Sequence, residues 1–112
     1  MKNLEEVVTL LPGLHRADLE RWIRDALIEA AQDTGSPTLS DTQFARVRLI
    51  CTLRYDMDVE EETLPVVLDL LDQLHDTRAR LHTLSQAVLA QDEDVRAAVL
   101  DIVTEARRRR QG

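Results

Sequence analysis

The chain has 112 residues, with 21 acidic against 14 basic side chains and a net charge of −7 at neutral pH. That length fits one small domain, and the acid surplus argues against a general binder of nucleic acid or anionic membrane, which needs excess Lys and Arg. With 44% hydrophobic but only 3% aromatic residues the core must be aliphatic, and a lone cysteine, Cys51, excludes an internal disulfide and a cysteine-based zinc finger. No apolar run approaches the roughly 20 residues that span a bilayer, and the early acids of MKNLEEVVTLL do not read as a signal peptide. A soluble, cytoplasmic protein is expected.

Taken in chain order, Asn3 is placed to cap a short helix presenting Leu4, Val7, Val8 and Leu11. Pro12-Gly13 stops it, since Pro lacks a donor and Gly accepts left-handed geometry. A second helix is predicted over residues 17–28, with Leu19, Trp22, Ile23, Ala26 and Leu27 at helical spacing. Two short helices with a tight Gly-containing joint are a helix-turn-helix candidate. The loop Gln32–Ser40 has room for a small hairpin or wing around Gly35, although no strand signal in it is strong. Ser40 to Gln43 has the S-x-x-Q form of a capping box. The helix it opens, to about Tyr55, offers Phe44, Val47, Ile50, Cys51 and Leu53 to the core. Asp56-Met57-Asp58 breaks that helix, and Asp58 with Glu61 is expected to cap the next.

That next helix dominates the sequence. Val67, Leu70, Leu74, Thr77, Leu81, Leu84 and Val88 alternate steps of three and four with Thr77 the single non-apolar member, a coiled-coil-like seam of about three heptads. A second stripe of Leu64, Leu68 and Leu71 is free to pack on the N-terminal body. The seam has two covers open to it: the last helix of the same chain, or a second copy in a homodimer. Gln91 to Asp94 starts a final helix with Val95, Val99, Ile102 and Ala106 on one face. Arg107 to Arg110 ends it, either as a nucleic-acid or partner patch or as cations complementing the helix C-terminus. The expected division is 1–58 for the body, 59–90 for the long dimerisation and partner helix, and 91–112 for a helical extension with an Arg-rich tail.

No catalytic constellation is present. Cys51 sits on an apolar helical face as a small hydrophobe, and His15, His75 and His82 lack the i,i+4 pairing of a zinc site. No Gly-rich phosphate cradle occurs, so no enzyme, metal or cofactor is expected. Charge divides unevenly: about −3 over residues 1–40, neutral over 41–58, −4 over 59–90 and neutral over 91–112. The candidate recognition helix carries Arg16, Arg21 and Arg24, cancelled by Asp18, Glu20 and Asp25. Phosphate-positioning bases do not dominate there, so nucleic acid is not an expected partner. On the long helix Glu62, Asp69 and Asp76 are spaced by seven with Asp72 between. They form an acidic stripe beside the seam, which is either a solvated face or a docking surface for a cationic partner.

The stretch ARVRLICTLRYDMDVEEETLPVVLDLLDQLHDTRARLHTL (Ala45–Leu84) resembles the CbpM chaperone-modulator family of the MerR-like superfamily. Met57-Asp58-Val59-Glu60 followed by Leu68-Asp69-Leu70-Leu71-Asp72-Gln73-Leu74 carries most of the likeness. Gly13-Leu14, Leu19 and Ala26-Leu27-Ile28 match the helix-turn-helix half in spacing. The resemblance covers residues 4–88 and implies an all-α or nearly all-α chain: a MerR-like winged helix-turn-helix body, a long coiled-coil-like helix, and here a C-terminal helix beyond it. It further implies a homodimer that binds the J-domain of a DnaJ-like, CbpA-type co-chaperone and inhibits its stimulation of the Hsp70 chaperone DnaK. Glu62, Asp69, Asp72 and Asp76 are the expected partner-binding residues. The alternative is a MerR-family DNA-binding transcriptional regulator.

Overall fold

The computed structural model describes residues 1–33 and 35–111. Thr34, in the Gln32–Ser40 loop, and Gly112, at the end of the C-terminal extension, lie outside the described residues. The chain is mostly helical, with five α-helices and one small three-stranded sheet among the described residues. It divides into two compact units, Met1–Asp69 and Leu70–Gly112, the division falling inside the longest helix.

In the first unit, β1 (Lys2–Asn3) leads directly into α1 (Leu4–Leu10). Asn3 caps that helix reciprocally: its side chain accepts from the Glu6 N–H at 2.9 Å, and the Glu6 carboxylate accepts from the Asn3 N–H at 3.5 Å. Gly13, at φ +94°, then turns the chain into α2 (Arg16–Arg24). This second helix stops four residues short of the expected Ile28. Ala26 takes a left-handed φ of +63°, the Ala26 N–H donates to the Ile23 carbonyl, and the Leu27 N–H donates to the Trp22 carbonyl at 2.9 Å. These two bonds form a Schellman stop built on alanine where glycine is usual. The early stop aims Ile28 into the core, where it is buried.

β2 (Ala31–Asp33) and β3 (Ser36–Leu39) form the hairpin around Gly35, and β1 adds to the other edge of β3, giving the antiparallel order β1-β3-β2. Lys2 faces Leu39 and Ala31 faces Thr38. α3 (Asp41–Cys51) is capped by Ser40, whose hydroxyl accepts from the Gln43 N–H at 3.2 Å. Gln43 does not complete the expected box. Its side-chain carbonyl accepts from the Glu29 N–H at 2.9 Å and ties down the segment leaving α2.

After Cys51 the helix widens into a π-turn over Thr52–Asp56, closed by the Met57 N–H on the Thr52 carbonyl at 3.0 Å. Asp58, left-handed at φ +55°, ends it. α4 (Leu64–Leu89) begins later than expected, with the Val67 N–H bonded to the Thr63 carbonyl, so Asp58 and Glu61 do not cap it. Its first turns send Leu64 and Leu68 into a core shared with Val7, Leu19, Trp22, Leu39, Val47 and Ile50, all essentially inaccessible to water, and Leu71 is half-buried. The second apolar stripe thus packs on the body. α5 (Glu93–Gln111) follows a three-residue joint. No helix among the described residues is long and apolar enough to cross a membrane.

Candidate protein-interaction surface

A polar cluster fixes where the exposed part of α4 starts. Tyr55, presented by the π-turn, donates its hydroxyl to Asp18 Oδ2 at 2.5 Å and accepts from the His15 N–H at 3.3 Å. Arg21 bridges α2 to the segment before α4, meeting Asp18 at 2.6 Å and Glu61 at 2.7 Å. Glu61 also accepts from Arg54 Nε at 3.3 Å and from the indole N–H of Trp22 at 3.2 Å. Glu61 therefore serves as a clamp between α2 and the π-turn. Burial raises the Asp18 pKa, but hydrogen bonds from Tyr55 and Arg21 outweigh it and hold the carboxyl below its ordinary value. Burial, with the hydrogen bond to Asp18, pushes the Tyr55 phenol up to about 12.

The same cluster determines what α2 can offer. Arg21 is engaged by two carboxylates, and Arg16 lies 3.1 Å from Glu20 and 3.9 Å from Glu5. Arg24 is exposed in the last turn. Two of the three arginines that would face phosphates are thus answered by acids of the chain itself.

The four acids singled out by spacing do not form one continuous helical stripe. Asp69, Asp72 and Asp76 are exposed on α4, whereas Glu62, also exposed, lies in the turn before the helix. The heptad repeat therefore breaks at its first member. On the seam, Leu70, Leu74, Leu81 and Leu84 are 53–62% exposed, while Val67 and Val88 are half-buried. The cover offered by the last helix is not used: α5 buries none of its own residues and leaves these leucines open to water.

At the C-terminal end Arg108 and Arg109 reach Glu105 only at 3.9 and 3.7 Å, with all three side chains largely exposed. Exposed pairs of that kind contribute at most a few tenths of a kcal/mol. Cys51 is half-buried, and its thiol is pushed up to about 11 by burial and by Asp18 and Asp56. It is therefore protonated and a poor nucleophile. His75 and His82 are both exposed on α4.

The Tyr55–Asp18 bond and the Glu61 clamp were not visible in the sequence, because partners some forty positions apart leave no local spacing. In the sequence Glu61 reads as a cap of the next helix and Glu62 as the first member of the acidic stripe. No family model, curated protein or solved structure matches the chain.

Proposed function

We propose that the chain is a chaperone modulator similar to the CbpM proteins. In this reading it binds the J-domain of a DnaJ-like, CbpA-type co-chaperone and prevents that domain from stimulating DnaK. Residues 1–58 act as a MerR-like winged helix-turn-helix body, with β2–β3 in the position of the wing, given over to protein binding. The partner class implies a cytoplasmic location. A homodimer forms through Val67, Leu70, Leu74, Leu81, Leu84 and Val88.

The observation that carries this reading is the exposed acidic face of α4. Asp69, Asp72 and Asp76 lie exposed on that helix, while two of the three arginines of α2, Arg16 and Arg21, are drawn into ion pairs. A surface of that sign suits a cationic helix and speeds encounter with it. It repels a phosphate backbone, which weighs against the regulator alternative.

The test is calorimetric or surface-based binding of a cognate J-domain at two salt concentrations. Single substitutions of Glu62, Asp69, Asp72 or Asp76 should each cost only about 0.2–1 kcal/mol, since each contact is exposed. Replacing all four by Lys should slow association sharply and reverse its salt dependence, because salt then screens repulsion, with folding nearly unchanged. A four-fold Lys variant that binds like wild type removes the acids from the docking surface. A sequence-specific DNA footprint lost on mutating Arg21 and Arg24 would promote the regulator instead.

A further inference from the structure

α5 is an amphipathic helix without a partner among the described residues. Val95, Ile102 and Val103 are 43%, 70% and 55% exposed, Ala106 is exposed and Val99 half-buried. Val95, Val99, Ile102 and Ala106 follow steps of four, three and four, so they line one face of the helix. The two ends carry opposite charge. Asp92, whose carbonyl accepts the first helical bond from the Arg96 N–H at 2.9 Å, opens an acidic start with Glu93 and Asp94. Arg107–Arg110 close a basic end. At 1.5 Å per residue these ends stand more than about 20 Å apart along the helix, so they cannot neutralise one another within one chain.

We propose that α5 pairs antiparallel with α5 of a second copy of this chain. With the two-fold axis between Leu100 and Asp101, Val99 faces Ile102 of the second copy and Val95 faces its Ala106. One step further out on the same face, Asp92 meets Arg109 of the second copy, three residues beyond each end of the apolar stripe. Each acidic start then lies beside the other copy's basic end, and both apolar stripes are covered. A parallel pair would place four arginines against four arginines and acids against acids, which costs energy at both ends. Charge thus selects the second copy and its direction, where an apolar stripe alone would accept many occupants. The pairing uses α5 only and does not depend on the α4 seam or on any J-domain.

The test is disulfide trapping in the full chain with Cys51→Ser. A variant carrying Val95→Cys and Ala106→Cys, mildly oxidised at tens of micromolar, should give a covalent dimer. Peptide mapping should show residue 95 of one copy joined to residue 106 of the other. Leu100→Cys, which points away from the stripe, should link at least tenfold more slowly. Charge is tested with two further variants of the trap. One replaces Arg107, Arg108 and Arg109 by Glu, and the other replaces Asp92, Glu93 and Asp94 by Lys. Each alone should lose trapping at least tenfold, and mixing the two should restore it. Mixing repairs no helix weakened by its own new charges, so restoration reports pairing and not folding. Links joining 95 to 95, trapping no faster than the Leu100 control, or failure of the mixture to recover would each overturn the proposal.

Discussion

Tyr55 and Asp18, 37 positions apart, share a 2.5 Å hydrogen bond that joins the π-turn to the first turn of α2. Two titrations act on that bond in opposite directions of pH. Asp18 has a lowered pKa, so its contribution is complete above the ordinary carboxylate value of about 4 and is lost as pH falls through its folded value. Tyr55 has a raised pKa, so its contribution is complete below about 10 and is lost as pH rises towards 12. The expected stability profile therefore falls off below pH 4 and again above pH 10. Tyr55→Phe should remove the alkaline limb attributable to this phenol. Because the chain has a single tyrosine, the absorbance of tyrosinate follows the same group directly. Titration of wild-type Tyr55 at about 10 would show that the bond is not formed.

Glu61 answers the indole N–H of the fully buried Trp22 together with Arg21 and Arg54. Glu61→Ala leaves that indole donor without its partner at a part-buried site, where the Glu61 side chain is 32% exposed. Such a group costs about 1–3 kcal/mol. Urea unfolding followed by the fluorescence of the single tryptophan should report a loss in that range. Glu61→Gln, which keeps an acceptor oxygen, should lose less. An unchanged midpoint for Glu61→Ala would mean that the clamp holds nothing.

Ala26 occupies left-handed backbone at φ +63°, where a Cβ costs about 1–2 kcal/mol. Ala26→Gly removes that strain at the price of extra freedom in the unfolded chain. A net gain of about 0.5–1 kcal/mol, or a Tm higher by about 2–4 °C, is expected. The side chain is exposed, so no packing is lost. A lower Tm would contradict the Schellman stop.

Leu74→Asp with Leu81→Asp places two charges in the exposed α4 seam. Light scattering should show loss of any dimer that the seam supports, with the secondary structure of the body retained. A wild-type chain that stays monomeric at tens of micromolar limits all self-association to about 7 kcal/mol or weaker.

Local chemistry was legible where one residue type has one dominant use. Asn3, Pro12-Gly13 and Ser40 announced their caps and turn because their side chains or torsions suit nothing else nearby. Ala26 hid the end of α2, since alanine is the strongest helix former and gives no warning of a left-handed turn. Gln43 and Glu61 fit a local capping pattern and were recruited instead by distant groups, Glu29 for one and Trp22 with two arginines for the other. β1, two residues long, exists only because β3 has an edge to pair with. For the candidate surface, the spacing of Asp69, Asp72 and Asp76 and the run of seam leucines were readable from the helical period. The displacement of Glu62 off the helix was not, because it depends on where tertiary contacts let α4 begin.

The π-turn gives the chain a reporter of its own. Cys51 ends α3 where the wider turn begins, half-buried and with its thiol proton held to about pH 11. A thiol so protonated offers an alkylating reagent little thiolate, so Cys51 should react slowly near neutral pH and faster as pH rises towards 11. Because Asp18 is among the groups that raise this thiol, the pH dependence of modification at Cys51 reports on the same corner as the Tyr55–Asp18 bond, in the wild-type protein without any added probe.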